Sequence, residues 1–527
     1  MEHFKDSNLQ RPDEFNFALD VVDTWAAKSP PLEAMFWISS NGAIHQSLSY
    51  RHFSQQSHRI AILLDQLGAR PGDTMMMVLP RHPACCVVIA PATVQLAAVD
   101  IQYRCQRSKA TVFIGDAISV AKVIQIRHEC PSLRVIVQVD GKPEKGVTNL
   151  YDALRTIPHG AKYPSTRFPW ASPALLYFTS GTSGLPKMVR HNQVSYSLAH
   201  AITGKYWLNL SPGDLCWNYT EQGWGKTAYS YCGAWNCGAS LFIWDDCRSF
   251  DPTSLLTLLH RFPVTTLCVP PLAWRQLVSP RCQEYYREPG EVLDEAVIKQ
   301  WCGLTGLMIR EGYGQTEAIL LCGNYCGLPI KPGSMGKPFP GVPLHVIQPG
   351  GEMALVDEEG ELALLLSDGG HPSKFFVSNV NGKLQHWYMT GDRATRDKDG
   401  YLWFVGRADE VINSSGYRIG PFEVESTMRR HPAVAECAVI SSPDKTRGEV
   451  MKAIIVLAPE YSSAPANGLV KELQDFCRAI SAPYKYPRKI DFVRPETLPR
   501  TISGKIKRAE LRKMEWRDAK ATVAHKL

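Results

Sequence analysis

The chain has 527 residues, of which 44% are hydrophobic and 21% are charged, and its formal net charge is +7. A chain of this length needs more than one hydrophobic core, and its composition is that of an ordinary globular protein. Its basic residues are scattered except near the C-terminus, so we expect no nucleic-acid partner. The longest apolar run, residues 85–99, is interrupted by Pro91 and Gln95 and is too short for stable membrane insertion.

The cysteines and the two ends of the chain bear on its cellular location. The fifteen cysteines include no Cys-x-x-Cys pair with zinc-ligand spacing, so we expect reduced thiols in an intracellular compartment. Early acidic residues such as Glu2 and Asp6 argue against a secretory signal and a mitochondrial transit peptide. We therefore predict a cytoplasmic protein. The final residues, His525-Lys526-Leu527, are similar to the Ser-Lys-Leu peroxisomal signal, and a chance C-terminus is the other interpretation.

The first part of the chain alternates between helical and strand patterns. Residues 15–25 and 50–67 have the spacing of helices, and Gly68 is placed to end the second one. Residues 34–38 and 74–79 are short apolar runs typical of buried strands. This alternation predicts an α/β domain with a largely parallel sheet.

The apolar run 174–178 is followed by a loop that is rich in hydroxyl groups and glycine, and this loop ends at Lys187. Glycine lets backbone N–H groups face an anion, the hydroxyls add donors, and the lysine adds positive charge. The Walker A spacing does not fit. The loop predicts a polyphosphate site, with a plain surface loop as the alternative. A helix over 191–198 is expected behind it, with its N-terminus aimed at phosphate.

Residues 217–244 are rich in Trp, Tyr, Gly and Ala and include the segment Gln222-Gly223-Trp224-Gly225. Aromatic side chains beside small ones can line a flat or elongated apolar pocket. They also fill ordinary cores, and the pattern alone does not separate the two.

Two later segments place polar groups after short strands. In 310–317, Tyr313 lies between glycines and can stack on a purine, while Thr316 and Glu317 offer oxygen atoms for phosphate or Mg²⁺. In 388–392, Asp392 can accept hydrogen bonds from a ribose diol. A strand that ends in a turn explains the first segment equally well. An N-cap or turn aspartate explains Asp392 equally well.

Shorter, strongly alternating elements follow 406–410, and we place a domain boundary between Ala408 and Asp409. Residues 438–440 and 452–457 are predicted strands, and 470–480 and 505–514 are predicted helices. Lys505 follows Ser503-Gly504 just before the last helix. It could reach into another domain, although a solvated surface lysine is the ordinary interpretation.

Taken together, these segments resemble the acyl-adenylate-forming (AMP-binding) superfamily. The matching pieces occur in the superfamily's order: 179–187, 313–317, Asp392, 406–409, 415–418 and Lys505. Segments 412–421 and 482–489, with Ser183 in the first loop, look most like the medium-chain acyl-CoA synthetases. The resemblance implies an α/β fold with a large N-terminal domain, 1–408, of mainly parallel sheets layered with helices. A smaller, mobile α+β domain, 409–527, would follow.

The resemblance also implies a reaction. A small carboxylic acid, either a medium-chain fatty acid or an aryl acid, would attack Mg·ATP to give an acyl-adenylate and pyrophosphate, and CoA would then form the thioester. Lys505, Thr316 and Glu317 would be catalytic, and Glu317 would also help to hold Mg²⁺. The nucleotide would be bound by Thr179, Ser180, Gly181, Thr182, Ser183, Gly184, Leu185, Pro186, Lys187, Glu311, Gly312, Tyr313, Gly314, Gln315, Thr316, Asp392, Arg407 and Arg418.

The second half-reaction would need another set of groups at the same place. In the superfamily the small domain rotates about a hinge residue, which corresponds to Asp409, so that Lys505 leaves and the Gly416 face arrives. CoA would be bound by Ser415, Gly416, Tyr417, Arg447, Arg478, Tyr486, Pro487 and Arg488.

Trp224 would line the pocket for the acyl group of the carboxylic acid.

Three segments are shorter than the superfamily pattern implies. Near 89–91 the end of a helix and the strand after it are expected to be missing, near 287–290 a buried strand, and over 376–387 part of a linking segment. A parallel sheet tolerates the loss of a central strand poorly. Either the fold takes a different route at these places or the chain is catalytically impaired.

Two other functions remain open on the sequence. An adenylating enzyme could load a carrier protein supplied in trans, because no carrier domain follows Leu527. A nucleotide-binding relic would bind ATP without releasing pyrophosphate. The presence of Lys505, Asp392 and the complete 179–187 loop argues against a relic, which would not need all of them.

Overall fold

The structure is a computed structural model. It describes Gly223, Glu410 and residues 12–79, 90–164, 167–179, 186–220, 225–246, 250–278, 295–366, 375–380, 383–408, 412–414, 417–419, 421–444, 448–461, 466–480, 485–500 and 506–524. The chain divides into two compact units, unit 1 (Met1–Val342) and unit 2 (Pro343–Leu527). This division differs from the predicted domain boundary at 408–409, which stays a prediction.

Unit 1 alternates strands and helices, with π-helical segments at Ala18–Val22, Gln193–Leu198, Thr203–Trp207 and Tyr229–Ala234. Its other elements are β1 (Glu14–Phe15), α1 (Asp23–Ala26), β2 (Glu33–Ile38), β3 (His45–Ser49), α2 (Tyr50–Gln66), β4 (Met75–Val78), β5 (Ala90–Ala92), α3 (Ala98–Ser108), β6 (Val112–Gly115), α4 (Ala117–Ile126), β7 (Val135–Gln138), β8 (Thr148–Asn149), α5 (Leu150–Arg155), β9 (Phe168–Pro169), β10 (Pro173–Thr179), β11 (Lys187–Asn192), α6 (His200–Ile202), β12 (Leu215–Asn218), β13 (Ser240–Trp244), α7 (Pro252–Arg261), β14 (Thr266–Cys268), α8 (Pro271–Leu277), α9 (Glu295–Thr305), β15 (Gly312–Gly314), β16 (Leu320–Gly323) and β17 (Lys337–Pro338).

Parallel pairing dominates the two larger sheets of unit 1. In the described part of the chain, the strand order is β5-β4-β6-β7-β8 in one sheet and β14-β12-β13-β2-β3 in the other. The first is parallel throughout, and only β3 is antiparallel in the second. All residues of β4, β6 and β7 are buried, as expected for strands covered on both faces. The predicted parallel α/β arrangement of the N-terminal part is therefore observed.

The α2 helix shows how local sequence sets an element's ends. The Ser49 side chain caps it by accepting a hydrogen bond from the His52 amide at 3.1 Å. At the other end Gly68 has φ +89°, and the Ala69 amide bonds the Leu64 carbonyl at 2.9 Å. This Schellman arrangement requires a left-handed residue, which glycine adopts most readily. The prediction that Gly68 ends the helix is confirmed.

The strand expected to be missing near 89–91 is present, so that expectation was wrong. β5 pairs in parallel with β4 at the edge of the first sheet, with Pro91 opposite Met77. An edge strand has one unpaired side, so proline's missing N–H costs the ladder nothing there. Residues 80–89 and the shortened segment at 287–290 lie outside the described residues.

Unit 2 is built mainly from antiparallel strands. Its elements are β18 (Leu344–Ile347), β19 (Gly360–Leu366), β20 (Phe375–Val380), β21 (Lys383–Arg396), β22 (Leu402–Arg407), β23 (Ile412–Ser414), β24 (Tyr417–Ile419), α10 (Pro421–Met428), β25 (Val434–Asp444), β26 (Gly448–Leu457), α11 (Ala466–Ile480), β27 (Lys489–Phe492) and α12 (Arg508–Ala524). The long strand β21 pairs with β19, β20 and β22. A second sheet has the order β25-β26-β27.

Two expectations in unit 2 need correction or detail. The last helix begins at Arg508 rather than at 505, because Ile506 forms a β-bridge with Arg500 instead of joining the helix. The compressed segment 376–387 is accommodated by a hairpin in which Val380 pairs with Lys383. The chain therefore passes this point without loss of strand pairing.

Candidate active site

The hydroxyl- and glycine-rich loop connects the two strands of a hairpin. β10 and β11 are antiparallel, and Thr179 opposite Lys187 is their last pair before the loop. Lys187 is exposed, and the carbonyl of Pro186 accepts a hydrogen bond from the Tyr103 hydroxyl at 3.0 Å. The structure thus brings the two ends of the predicted phosphate loop together. Residues Ser180, Gly181, Thr182, Ser183, Gly184 and Leu185 lie outside the described residues.

The helix expected over 191–198 begins later. His191 belongs to β11, and the helical segment is Gln193–Leu198. The Asn192 side chain accepts from the amides of Val194 and Ser195 at 3.1 and 2.7 Å. This cap occupies two of the amides at the helix start, and the role of that N-terminus in binding phosphate stays a prediction.

His191 instead supports the second predicted nucleotide segment. Its Nε2 lies 2.7 Å from the carbonyl oxygen of Thr316. A carbonyl only accepts, so Nε2 carries the proton in this bond. Thr316 follows β15, in which Tyr313 pairs with Cys322 of β16. The contact ties β11 to the turn that carries Thr316 and Glu317, and sequence reasoning had overlooked this residue.

Gly225, in the aromatic segment 217–244, lies close to the turn that carries Thr316. A Cβ on Gly225 would lie 2.9 Å from the hydroxyl of Tyr196 and 3.3 Å from Oγ1 of Thr316. That hydroxyl donates to the Gly225 carbonyl at 3.1 Å. Any side chain at Gly225 would therefore force Thr316 or Tyr196 to move. Gly225 directly follows Trp224, which lies outside the described residues.

Behind this turn, buried aromatic rings pack against one another. The rings of His191 and Tyr196 are 4.2 Å apart, and His200 lies edge-on to Tyr196 at 4.5 Å. Burial lowers the pKa of His200 to about 3 and raises the pKa of Tyr177 and Tyr196 well above the ordinary tyrosine value. His200, Tyr177 and Tyr196 therefore keep their neutral forms near pH 7.

We predict that His191→Phe raises the KM for ATP by about tenfold. The phenyl ring keeps the packing against Tyr196 but leaves the Thr316 carbonyl without its donor, a loss of about 1–3 kcal/mol. Steady-state kinetics at varied ATP measures the effect. His260→Phe is the matched control, because His260 Nδ1 also contacts a backbone carbonyl, that of Leu256 at 2.9 Å on α7. An equal change in both variants would contradict the assignment.

Much of the aromatic segment 217–244 fills cores rather than a pocket. Trp217, Phe242 and Trp244 are buried in one apolar cluster, and Tyr229 and Trp235 are buried in another. The core interpretation therefore holds for these residues. The placement of Trp224 in an acyl pocket stays a prediction.

Asp392 and Arg407 form an ion pair across β21 and β22. Arg407 Nη1 donates to Asp392 Oδ1 at 3.0 Å, and the two residues are directly opposite in the strand register. The Asp392 side chain is only 6% exposed, and its amide donates to Thr390 Oγ1 at 3.1 Å. Gly391, which lies between Thr390 and Asp392, has φ +75°. A Cβ at this position would lie 3.2 Å from the Arg407 guanidinium. The pair predicted to hold the ribose is thus preassembled.

Glu361, on β19, is a neighbour of this pair that sequence reasoning missed. Its Oε1 accepts from the Gly391 amide at 3.2 Å. Burial raises the pKa of Glu361, and the nearby Asp392 acts in the same direction, while the Gly391 hydrogen bond opposes both. Its only signal in the sequence was an acidic residue in an otherwise apolar strand.

In unit 2, two of the predicted CoA-binding arginines contact one tyrosine ring. The guanidinium carbons of Arg478 and Arg488 lie 4.0 and 5.0 Å from the ring centroid of Tyr486. Arg488 Nη1 also donates to the Tyr486 hydroxyl at 2.8 Å. Tyr486 and Pro487 are buried, while both arginines are exposed. Arg478 Nη1 also donates to Asp475 Oδ1 at 2.7 Å, which offsets part of the positive charge that these two arginines could offer a phosphate group.

The remaining predicted residues are described in part or lie outside the described residues. Glu317 and Glu311 are exposed, and the Glu311 carbonyl accepts from Trp207 Nε1 at 3.2 Å. For Tyr417 and Arg418 only the backbone is described, in β24. Outside the described residues lie Trp224, Asp409, Ser415, Gly416, Arg447 and Lys505.

The part of the chain that the structure describes contains no group of three or more His, Cys, Asp or Glu side chains arranged to hold a metal ion. In the same part of the chain, no helix is long and apolar enough to cross a membrane.

Two family models together match most of the chain. The model for AMP-binding enzymes matches residues 22–365, and that for the AMP-binding enzyme C-terminal domain matches residues 423–505. The chain therefore belongs to the AMP-binding enzyme family, and the resemblance inferred from the six segments is confirmed.

Individual relatives are similar over almost the whole chain. Human acyl-coenzyme A synthetase ACSM3, mitochondrial, is 40% identical across 97% of this chain and 92% of its own length. Human acyl-coenzyme A synthetase ACSM5, mitochondrial, is 41% identical across 96% and 91%.

Solved structures share the fold. A Brucella canis acyl-CoA synthetase is 27% identical, with a TM-score of 0.69 over 96% of this chain and 95% of its own. The anthranilate CoA ligase AuaEII in complex with anthranoyl-AMP is 24% identical, with a TM-score of 0.80 over 97% and 99%. The predicted α/β fold class, with a large N-terminal and a smaller C-terminal part, is confirmed.

Proposed function

We propose that the protein is an ATP-dependent, AMP-forming acyl-CoA synthetase. The observation that carries this proposal is the similarity to acyl-coenzyme A synthetases over 97% of the chain, which includes both the nucleotide segments and Lys505. The reaction has two steps. A carboxylate attacks the α-phosphorus of ATP and releases pyrophosphate, and the thiol of CoA then attacks the acyl carbon of the acyl-adenylate and releases AMP.

In the first step the protein's residues mainly bind and orient ATP and the carboxylic acid, since phosphoryl chemistry depends on positioning and charge neutralisation. The hairpin loop 179–187 would hold the β- and γ-phosphates. Tyr313 would stack on adenine, and the Asp392–Arg407 pair would receive the ribose hydroxyls. Lys505 would bridge the substrate carboxylate and the α-phosphate.

The magnesium ion would be held by few protein groups. Mg²⁺ in nucleotide sites is bound by one or two carboxylates together with phosphates and water. The exposed Glu317, next to the anchored Thr316, suits such a site, because it leaves room for those other ligands. When bound, the ion would neutralise phosphate charge.

In the second step the C-terminal domain, proposed as 409–527, would rotate about Asp409. The Arg478–Tyr486–Arg488 cluster supplies positive charge for a phosphate group of CoA. We propose that Ser415, Gly416, Tyr417, Arg447 and Pro487 belong to the same CoA surface, with Arg418 on the nucleotide side.

Trp224 is our candidate for the acyl pocket. It precedes Gly225, whose backbone contacts Tyr196 and approaches Thr316. We predict that Trp224→Ala changes the preferred acid or weakens its apparent affinity by about tenfold, as expected for altered apolar contacts in a substrate pocket. KM values across an acid panel measure this. Trp403→Ala, which removes a half-buried indole that bonds Asp397 in unit 2 at 3.1 Å, is the control. An unchanged acid preference and affinity in Trp224→Ala would refute the placement.

The function itself is tested by pyrophosphate release from the purified chain with Mg·ATP. The assay uses straight-chain and aromatic acids, with and without CoA, and mass spectrometry of the products. Release that depends on the acid, with formation of acyl-CoA, supports a synthetase and names the acid class. Acyl transfer only to an added carrier protein supports the carrier-loading alternative. ATP binding without release for any acid, by folded protein, supports the impaired relic.

Cellular location is a separate proposal. We propose that the protein is located in the cytoplasm. The peroxisome is the alternative suggested by His525-Lys526-Leu527. Microscopy of the chain with an internal tag, which leaves both ends of the sequence unchanged, distinguishes these two locations. It also tests for mitochondria, the location given in the names of the human relatives.

A further inference from the structure

The segment 501–505, which contains Lys505, has its two flanks joined at the backbone. Arg500 forms an antiparallel β-bridge with Ile506, and the Lys507 amide donates to the Pro499 carbonyl at 2.8 Å. Leu498 and Leu511, one on each side, are buried in the same apolar cluster with Ile440 of β25. Both flanks therefore rest on the β25-β26 sheet.

Two arginines add ionic anchors to these flanks. Arg500 Nη2 lies 3.0 and 2.8 Å from the carboxylate oxygens of Glu436, which is on β25. On the other flank, Arg508 donates from Nε and Nη2 to the two oxygens of Glu425, at 2.7 and 2.6 Å. The second pair is a two-point fork, which fixes direction as well as distance.

The carboxylate of Glu425 is buried and hydrogen-bonded. Its side chain is 0% exposed, and Oε1 also accepts from the Val439 amide of β25 at 2.8 Å. A buried carboxylate needs such partners, because an unpaired buried charge is strongly unfavourable. The carboxylate therefore joins α10, β25 and the first residue of α12.

The third guanidinium nitrogen of Arg508 points to the hinge region. Its Nη1 lies 3.6 Å from Oε2 of Glu410, and both side chains are about a quarter exposed, at 27% and 26%. Glu410 directly follows Asp409, the proposed hinge. One arginine thus contacts the anchor of the lysine segment and the residue after the hinge.

We propose that Arg508 is a positioning residue for Lys505, which it serves by fixing the C-terminal flank of segment 501–505 to Glu425 and by tying that flank to Glu410. This inference rests on the proposed function of Lys505 in adenylation. Because Lys505 is needed only in the first half-reaction, a defect in its position affects adenylation and leaves thioester formation unchanged. A defect in general stability affects both.

The main test measures the two half-reactions separately in Arg508→Lys, which keeps the charge but loses the fork. We expect adenylation, followed by acid-dependent ATP–pyrophosphate exchange, to fall about 10- to 100-fold, since a misplacement of about 1 Å can cost about 100-fold. CoA thioester formation from supplied acyl-AMP is expected to stay within about threefold. Equal losses in both half-reactions would overturn the proposal.

A double-mutant cycle asks whether Arg508 acts through Lys505. In a Lys505→Ala background, Arg508→Lys is expected to cause no further loss in the residual single-turnover rate of adenylation, because the group it positions is gone. An additional loss of the same size as in the wild type would overturn the proposal.

Two further variants separate positioning from folding. Glu515→Gln is the matched control on α12, because Glu515 bonds Lys452 and Ser442 at 2.6 Å and touches neither flank. It should lower Tm while keeping the ratio of the two half-reactions. If Arg508→Lys does not fold, Glu410→Gln weakens the contact of Arg508 with Glu410 and leaves the Glu425 fork in place. An unchanged ratio of the two half-reactions in that variant refutes the proposal. Failure of the wild type to release pyrophosphate with any acid would refute the proposed function instead.

Discussion

Replacing Lys505 with alanine is expected to lower acyl-adenylate formation by about 100- to 1,000-fold while thioester formation from supplied acyl-AMP stays within about threefold. The ammonium group is proposed to stabilise charge that develops between the carboxylate and the α-phosphate. The thiol step is proposed to follow rotation of the C-terminal domain, so we expect it not to need this group. ATP–pyrophosphate exchange and CoA consumption measure the two steps separately.

Lys507→Ala is the matched control for that experiment. Lys507 lies two residues further along the same flank, and its side chain is 48% exposed in an ordinary i,i+3 pair with Glu510 at 3.5 Å. Such exposed pairs contribute little to stability, so the control should behave as the wild type. Loss of both half-reactions to the same extent in Lys505→Ala would refute a role confined to adenylation, and with it the two-state assignment.

The second large effect is expected from Asp392→Asn, which should raise the KM for ATP about 10- to 100-fold. The amide keeps the shape but loses the negative charge that pairs with Arg407, and one of its two acceptor oxygens becomes a donor. Hydrogen bonds that involve a charged group contribute about 1.5–3 kcal/mol, which corresponds to this range. Steady-state kinetics at varied ATP, with thermal unfolding as a check, measures the change.

The folding cost of Asp392→Asn should be small, because Arg407 is 36% exposed and water can replace part of the pairing. Glu359→Gln is the matched control: Glu359 pairs with Arg393, the next residue along β21. The control therefore removes an ion pair of the same kind from the neighbouring position on β21. An ATP KM that does not change in Asp392→Asn would place the ribose elsewhere.

The elements that sequence reasoning located best are those governed by neighbouring residues. The α2 helix lies within one residue of the predicted 50–67 and ends before Gly68 as predicted, and β10 lies where a short apolar run was found. The helix expected at 191–198 begins only at Gln193, because residues 187–192 pair with β10, a strand on the other side of the loop. The strand at 90–92 was missed because it has only three residues and includes a proline.

The residues of the candidate site also divide into those with a local signal in the sequence and those without one. Thr179, Lys187, Tyr313, Thr316, Asp392 and Arg407 were found from local motifs. His191 and Glu361 were not, because their contacts join distant parts of the chain: 125 residues separate His191 from Thr316, and 30 separate Glu361 from Gly391. The Arg508–Glu425 fork spans 83 residues and had no local signal either.

The sequence by itself determined the chemistry of this protein: which hydroxyls, carboxylates and lysines are present, their order, and the family they indicate. Those properties depend on residue types and short spacings, which a chain carries before it folds. The tertiary structure decided which groups support them, because a hydrogen bond or ion pair between distant residues exists only when sheet pairing and burial bring its two atoms within about 3 Å. The Thr316 carbonyl on His191, the Asp392–Arg407 pair and the Glu425 anchor of the Lys505 segment all arise at that stage.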